Sequence, residues 1–289
     1  MAGMNQSQME TLLAIVDEGS FEVAAAVLGV SPSAVSQRIK SLESSTGRVL
    51  LRRSTPVTPT EAGEILVQTA RHVALVQAEA KAQLSQHMRN VPLSVAVNAD
   101  SLNTWFKDVI ADTAAHGDVS LKIRVEDENA TLGMLRRGDV VGAVTSEPNP
   151  VAGCESTPVG TMRYFAMASP SMELRAWDKM PAVLYNQQDP LFKRWLRGKD
   201  LTLRDLSRRV SYIPSVDAYN DAVRVGLGWG MIPEIQASEL LARGELVIID
   251  DTPLELDLYW QRWRLESAML ERLTASVFLA AAGALPPGN

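Results

Sequence analysis

The most legible chemistry in this chain lies on one face of a short segment, where Ser33, Ser36, Gln37 and Lys40 follow a proline at position 32. At about 100° per residue, Ser33, Gln37, Lys40 and Ser44 share one side of a helix, with Ser36 on its flank, while Val35, Ile39 and Leu42 fall opposite and face a core. Hydroxyl and carboxamide groups both donate and accept, so such a face suits base edges in a DNA major groove. Gln37 matches adenine N6/N7 and the serines match either partner. An isolated helix of this kind reads equally well as a solvated surface element. Its neighbours shift the balance: a turn glycine, Gly29, a small-residue helix before it, and a following segment that carries Arg48, Arg52 and Arg53. Those arginines suit phosphates or a minor groove, whereas Arg38, beside the core stripe, is a phosphate or a structural contact.

A second chemistry is anionic. Asn98, Asp100 and Ser101 follow a predicted strand at residues 93–97, and ligands of open α/β sheets bind beyond the carboxyl ends of strands, near helix N-termini. Asp100 would accept from a cation. Glu126, Asp127 and Glu128 end the next strand and form a further acidic cluster, and Asp189 and Asp217 are weaker candidates later in the chain. The residues alone leave an alternative level with this one, in which Asp100 is a helix N-cap and the acidic run a solvated helix start. Catalysis has little to work with: three scattered histidines (His72, His87, His116), one cysteine and no GxxxxGK loop provide neither a nucleophile with its base nor a metal set. The glycines of GLGWG precede MIP and read as a turn before a strand. No catalytic residue, metal or cofactor is expected. Cys154 reads as inert and Trp105 as core.

The elements that must position these groups follow from periodicity and capping. Helices are predicted at residues 6–17, closed by Gly19, at 21–28, and from Pro32 with Ser31 as N-cap. GRVLLRRSTPVTPTEAG reads as a short wing hairpin, and Thr58, Pro59 and Glu61 as the capping box of a long helix reaching about Met88. Leu66, Val73 and Ala80 recur in it at sevens, which suits packing against a second copy and two reading helices on a pseudo-palindromic site; the alternative is packing on its own chain. From Val91 onward strands and helices alternate, which predicts a parallel sheet with crossover helices in two α/β lobes. Strands are expected at 93–97, 119–125, 140–144, 164–168, 183–185, 210–213, 246–249 and 256–260, and helices at 102–113, 131–137, 191–196, 218–225, 234–241 and 265–279. The stretch 148–160 reads as a Pro/Gly-rich connection.

The net charge of −6 over 289 residues would argue against nucleic acid if it were spread evenly, but residues 31–60 hold five basic residues (Arg38, Lys40, Arg48, Arg52, Arg53) against one acid, Glu43. The basic footprint is thus confined to one module. One cysteine suits a reducing compartment. No basic start leads into an apolar signal, and the longest apolar stretch falls short of the roughly 20 residues of a membrane span. The expectation is a cytoplasmic protein with no membrane partner.

SFEVAAAVLGVSPSAVSQRIKSLE, GRVLLRR and TEAG together resemble the LysR-type transcriptional regulators over essentially the whole chain. VNADSLNTW, VEDENATLGMLRRGDVVGAV, MIPEIQASELLARGEL and LYWQRW are similar to its ArgP/LysG branch, also described as chromosome initiation inhibitors. The resemblance implies a winged helix-turn-helix (residues 1–60), a linker and dimerisation helix (61–90), and a periplasmic-binding-protein-like effector domain (91–289). Its lobe I would comprise 91–161 with 264–289, and lobe II 162–263. It also implies a homodimer or a homotetramer built as a dimer of dimers, double-stranded promoter DNA and RNA polymerase as partners, and L-lysine, L-arginine or histidine as effector of an exporter gene. Pro32, Ser33, Ser36, Gln37, Arg38, Lys40, Arg52 and Arg53 would meet DNA. Positions matching Asn98, Asp100, Ser101, Thr145 and Asn186 would line the effector cleft, with Glu126 and Asp127 as further candidates. The competing function is an architectural DNA-bending protein with an amino-acid-binding module.

Overall fold

The computed structural model describes residues 5–84, 91–117, 119–126, 128–206 and 209–288. The chain opens with three helices, α1 (Gln6–Glu18), α2 (Phe21–Leu28) and α3 (Pro32–Thr46). Each begins on a polar cap and ends on a glycine. Asn5 and Gln8 form a reciprocal capping box on α1, Ser20 caps α2, and Ser31 Oγ accepts from Ala34 N–H at 3.2 Å on α3. Gly19, Gly29 and Gly47 all sit at φ near +65°, where a side chain would be strained. Val35, Ile39 and Leu42 pack with Leu12, Ile15, Ala24 and Ala25 into a core of their own. The antiparallel wing follows, β1 (Leu51–Arg52) against β2 (Thr58–Pro59).

The cap of the long helix α4 (Glu61–Leu84) falls two residues later than expected. Thr60, not Thr58, takes that role: its Oγ1 accepts from Gly63 N–H at 3.1 Å and donates to Val49 O at 2.7 Å. Thr58 and Pro59 are instead paired in the wing. The expected continuation of this helix to Met88 lies outside the described residues.

Beyond residue 90 the elements run β3 (Val91–Ala96), α5 (Ala99–Asn103), α6 (Phe106–His116), β4 (Val119–Arg124), α7 (Glu128–Arg137), β5 (Gly142–Thr145), β6 (Cys154–Ala168), β7 (Ala182–Leu184), α8 (Pro190–Gly198), β8 (Val210–Tyr212), α9 (Val216–Arg224), β9 (Gly230–Pro233), α10 (Glu234–Ala242), β10 (Val247–Trp263) and α11 (Ala268–Ala284). The six-stranded sheet has the order β4-β3-β5-β10-β6-β9, and β7 pairs with β8 beside it. The expectation of a parallel sheet holds for β3 with β4 and β5 and for β7 with β8. It fails for β6 and β10, which run antiparallel to each other from Cys154↔Trp263 to Ala168↔Val247.

Two sequence expectations change with these strands. Residues 154–160, read as a connection, are the first half of β6, and the segments 246–249 and 256–260, read as two strands, are one. Pro253, which cannot donate to a ladder, is absorbed in a register shift between Asp250 and Leu254. The predicted helix 102–113 is likewise two, because the backbone breaks at Thr104, whose hydroxyl donates to Asp100 O at 2.6 Å. The result is a two-lobed fold. The β10 residues Tyr259 to Arg262 pair with β5 in one lobe, and the β6 residues Tyr164 to Met167 pair with β9 in the other, so both long strands pass between lobes.

The α4 helix lies against the two-lobed fold as well as the N-terminal helix α1. The Arg71 guanidinium pairs with Asp17 of α1 at 2.5 Å and, by its other nitrogen, with Asp139 after α7. The His72 ring meets Trp263 edge-on at 4.5 Å, and buried Glu79 accepts from the hydroxyl of Ser267, the cap of α11.

Candidate functional site

The reading face is built by the α3 caps. Pro32, Ser33, Gln37 and Lys40 are exposed along it, Ser36 is half-buried at its flank, and Ser33 Oγ is paired only with Ser31 Oγ (2.9 Å) among the described residues. Arg38 is half-buried and donates to Thr11 Oγ1 at 3.3 Å, which is the structural alternative its position beside the core stripe allowed. Arg52 and Arg53 stand exposed on the wing, with the Arg53 guanidinium 5.7 Å from the Phe21 ring centroid. The one acid of this region, Glu43, turns inward and accepts from Leu50 N–H at 2.8 Å, so it anchors the wing and leaves the basic face undiluted.

The second site is a cavity of about 440 Å³ between the lobes. It collects Asn98, Asp100, Glu126, Thr145 and Asn186 from the sequence candidates. Asn98 supplies the N-cap of α5, its Oδ1 accepting from Ser101 N–H at 2.7 Å, so Asp100 is released from the capping role that competed with a ligand role. Thr145 Oγ1 accepts from Glu147 N–H at 3.1 Å, and Asn186 Oδ1 from Gln188 N–H at 2.8 Å. Ser101 is not among the lining residues; its hydroxyl is buried and has no hydrogen-bond partner among the described residues. Asp127 lies outside the described residues. Of the two weaker acids, Asp189 lines the cavity and Asp217 does not.

With this geometry in place, comparison with known proteins decides the family. Residues 6–64 match the bacterial regulatory helix-turn-helix protein, lysR family, and residues 89–278 match the LysR substrate binding domain. The chain belongs to the LysR family of transcriptional regulators. It is a regulator of this family, not an enzyme. It is 50% identical over 292 residues to the lysine export transcriptional regulatory protein LysG of Corynebacterium glutamicum, covering 98% of this chain and 100% of that one. Among solved structures, full-length LysG of C. glutamicum with bound effector Arg aligns with a TM-score of 0.82 at 49% identity, over 98% of this chain and 100% of that one. ArgP of Mycobacterium tuberculosis aligns at 0.85 and 40% identity, over 97% and 98%.

The electrostatics of this LysR cleft centre on Asp100 and Asp189. Burial pushes the Asp100 carboxyl above its usual range, a hydrogen bond from Tyr164 pulls it back, and the charge of Asp189 raises it again. Asp189 is likewise raised by burial and lowered by the backbone amides of Phe192, Tyr185 and Leu191 and by Lys193. No Lys, Arg or His lines the cavity among the described residues. Sequence reasoning missed Tyr164, Tyr185 and Tyr219, which line it too. Tyr164 sits within an apolar strand pattern, so periodicity marks it as core. Only its alignment on β6 carries its hydroxyl to Asp100. Elsewhere Cys154 is buried and its thiol is pushed up to about 12 by burial, against the pull of Arg264, which leaves no reactive thiolate.

Proposed function

We propose that this LysR regulator senses a basic amino acid, L-lysine or L-arginine, in the cleft between its lobes and controls an exporter gene for such amino acids. The observation that carries this reading is the pair of half-buried, desolvated carboxylates, Asp100 from one lobe and Asp189 from the other, in a cavity lined by no cationic side chain among the described residues. Two desolvated acids facing one space favour a ligand that brings positive charge. Support comes from the LysG structure that holds an arginine effector and from the lysine-export role in the name of its relative. Asn98, Asp100, Thr145 and Asn186 contact the effector in this reading, with Glu126 at the rim.

In the same reading, the segment 1–60 reads DNA, 61–90 dimerises and 91–289 senses. Ser33, Ser36 and Gln37 meet base edges at a promoter, Lys40, Arg52 and Arg53 meet phosphates, Arg38 stiffens the head, and two copies or a dimer of dimers present paired heads in the cytoplasm, with RNA polymerase as the downstream partner.

Calorimetric titration of the purified protein with lysine, arginine, histidine and leucine tests the sensing half. Saturable binding of lysine or arginine, with none by leucine, is expected. Equal or absent binding of all four overturns it. Selection of bound sites from random DNA tests the other half, since an architectural protein would enrich none.

A further inference from the structure

The two carboxylates of the cleft have different surroundings. Asp100 stands in lobe I among hydrogen-bonding groups, with Asn98, Thr145 and Ser146 lining the same wall and the Tyr164 hydroxyl 2.8 Å from Oδ2. Asp189 stands in lobe II, its Oδ1 held at 2.9 Å by Phe192 N–H at the start of α8, and Pro190, Leu191 and Val216 give this side of the cavity an apolar stretch beside the polar Asn186, Tyr219 and Asn220. A zwitterionic amino-acid head needs several donors and acceptors converging on it. An aliphatic stem ending in one cation needs apolar walls and one acid at the end.

We infer that Asp189 is the residue that selects for the side-chain charge of the effector, with the amino-acid head seated on the lobe I wall at Asp100 and the stem running along Pro190, Leu191 and Val216 to Asp189. The inference rests on the basic-amino-acid reading above and assigns an orientation within it. The backbone amide that holds Asp189 from behind fixes its position, so discrimination follows from a preset carboxylate and not from a mobile side chain. A neutral side chain of the same shape would leave that desolvated carboxylate with its backbone amides and no compensating cation, which is the arrangement by which a site rejects a near-isostere most strongly. The ligand also reaches both lobes at once, through the head on one and the terminal cation on the other.

The test uses the full-length protein, L-arginine and L-citrulline, which has the same length and a neutral ureido group, titrated calorimetrically into wild type, Asp189→Asn and Asp100→Asn. Wild type is expected to favour arginine over citrulline by about 30-fold or more, the scale of losing one partner of a buried charged pair. Asp189→Asn is expected to erase most of that preference by weakening arginine alone. Asp100→Asn is expected to weaken both ligands and keep their ratio. Asparagine retains the cap on Phe192, and Asp189→Ser provides a second cap-competent variant should the first not fold. If Asp189→Asn leaves the arginine-to-citrulline ratio unchanged, or if the ratio collapses in Asp100→Asn instead, the orientation is overturned while the sensing of basic amino acids stands. If wild type binds neither arginine nor lysine, both readings fall together.

Discussion

Tyr164 Oη donates a 2.8 Å hydrogen bond to Asp100 Oδ2, and this bond spans the boundary between the lobes. Asp100 belongs to α5 of lobe I, while Tyr164 lies on β6 opposite Pro233 of β9 in lobe II. Tyr164 is buried and Asp100 half-buried on the cavity wall, and burial together with the charge of Asp100 drives the Tyr164 hydroxyl well above its ordinary value, so it remains a donor at every physiological pH. The cleft acid is therefore poised by a group from the other lobe.

Tyr164→Phe removes that donor and leaves Asp100 with burial and the neighbouring Asp189 charge. Its carboxyl then shifts further upward. Arginine affinity at neutral pH is expected to fall by about 10- to 100-fold, the value of a hydrogen bond to a charged group. Calorimetry measures it directly, and an unchanged affinity removes Tyr164 from the site.

The raised carboxyls of Asp100 and Asp189 set a direction with pH. In the ligand-free protein each binds its proton more tightly folded than unfolded. The unfolded chain therefore holds fewer protons above the ordinary carboxylate range, and this contribution to stability falls as pH rises through the raised folded value. Asp100→Asn abolishes its share. The melting temperature of Asp100→Asn relative to wild type should rise between about pH 4 and neutrality. Arginine affinity of wild type should tighten over the same interval, with proton release. Among the described residues, the other titratable groups on the cavity wall are Glu126, Tyr164, Tyr185 and Tyr219. A flat difference in melting temperature would refute the linkage.

Asp100→Asn should also separate sensing from DNA binding. The reading head has its own core, distinct from that around Asp100, so promoter affinity without effector is expected to stay within about twofold of wild type. The lysine or arginine response of a reporter gene should vanish. Persistence of that response would take Asp100 out of effector recognition.

On the reading face, Gln37→Ala is expected to relax sequence choice by about 1 to 3 kcal/mol while sparing affinity for random DNA. Arg53→Ala should weaken both classes of DNA more evenly and lower the salt slope. The comparison needs one salt concentration throughout. Equal losses on selected and random DNA for Gln37→Ala would show that the side chain does not read a base.

Gly63→Ala tests the junction between wing and linker. A Cβ at Gly63 would run into the carbonyl oxygen of Leu50, a backbone atom that cannot step aside. Overpacking of this kind costs about 1 to 3 kcal/mol, so the melting temperature should drop and DNA binding weaken, although no DNA contact is touched. A variant as stable as wild type would mean that α4 slides freely on the wing.

Much of the reading head was legible from the chain alone because its signals are local. Ser31 before Pro32, and glycines at 19 and 29, each determine a helix end within four residues of themselves. The expected range of the second helix, 21–28, matches α2 residue for residue. The sensor was less legible where pairing partners decide. β6 and β10 are single strands only because each supports the other across Pro253 and Gly160, and no window of a dozen residues contains both. The same holds for the cleft: Asp100 was visible as an acid at a strand end, but Tyr164 and Asp189 come to it from 64 and 89 positions away.

The double pairing of Arg71 bears on how freely the parts of such regulators can be exchanged. One guanidinium on α4 is shared between Asp17 of the reading head and Asp139 of the sensor, so the head is not a passive attachment at the end of a rod. A chimera that joined a foreign head to this sensor would inherit only half of the clamp unless the donor carried an acid at the place of Asp17. Compatibility between heads and sensors is thus written partly into a single residue of the first helix, far from either ligand.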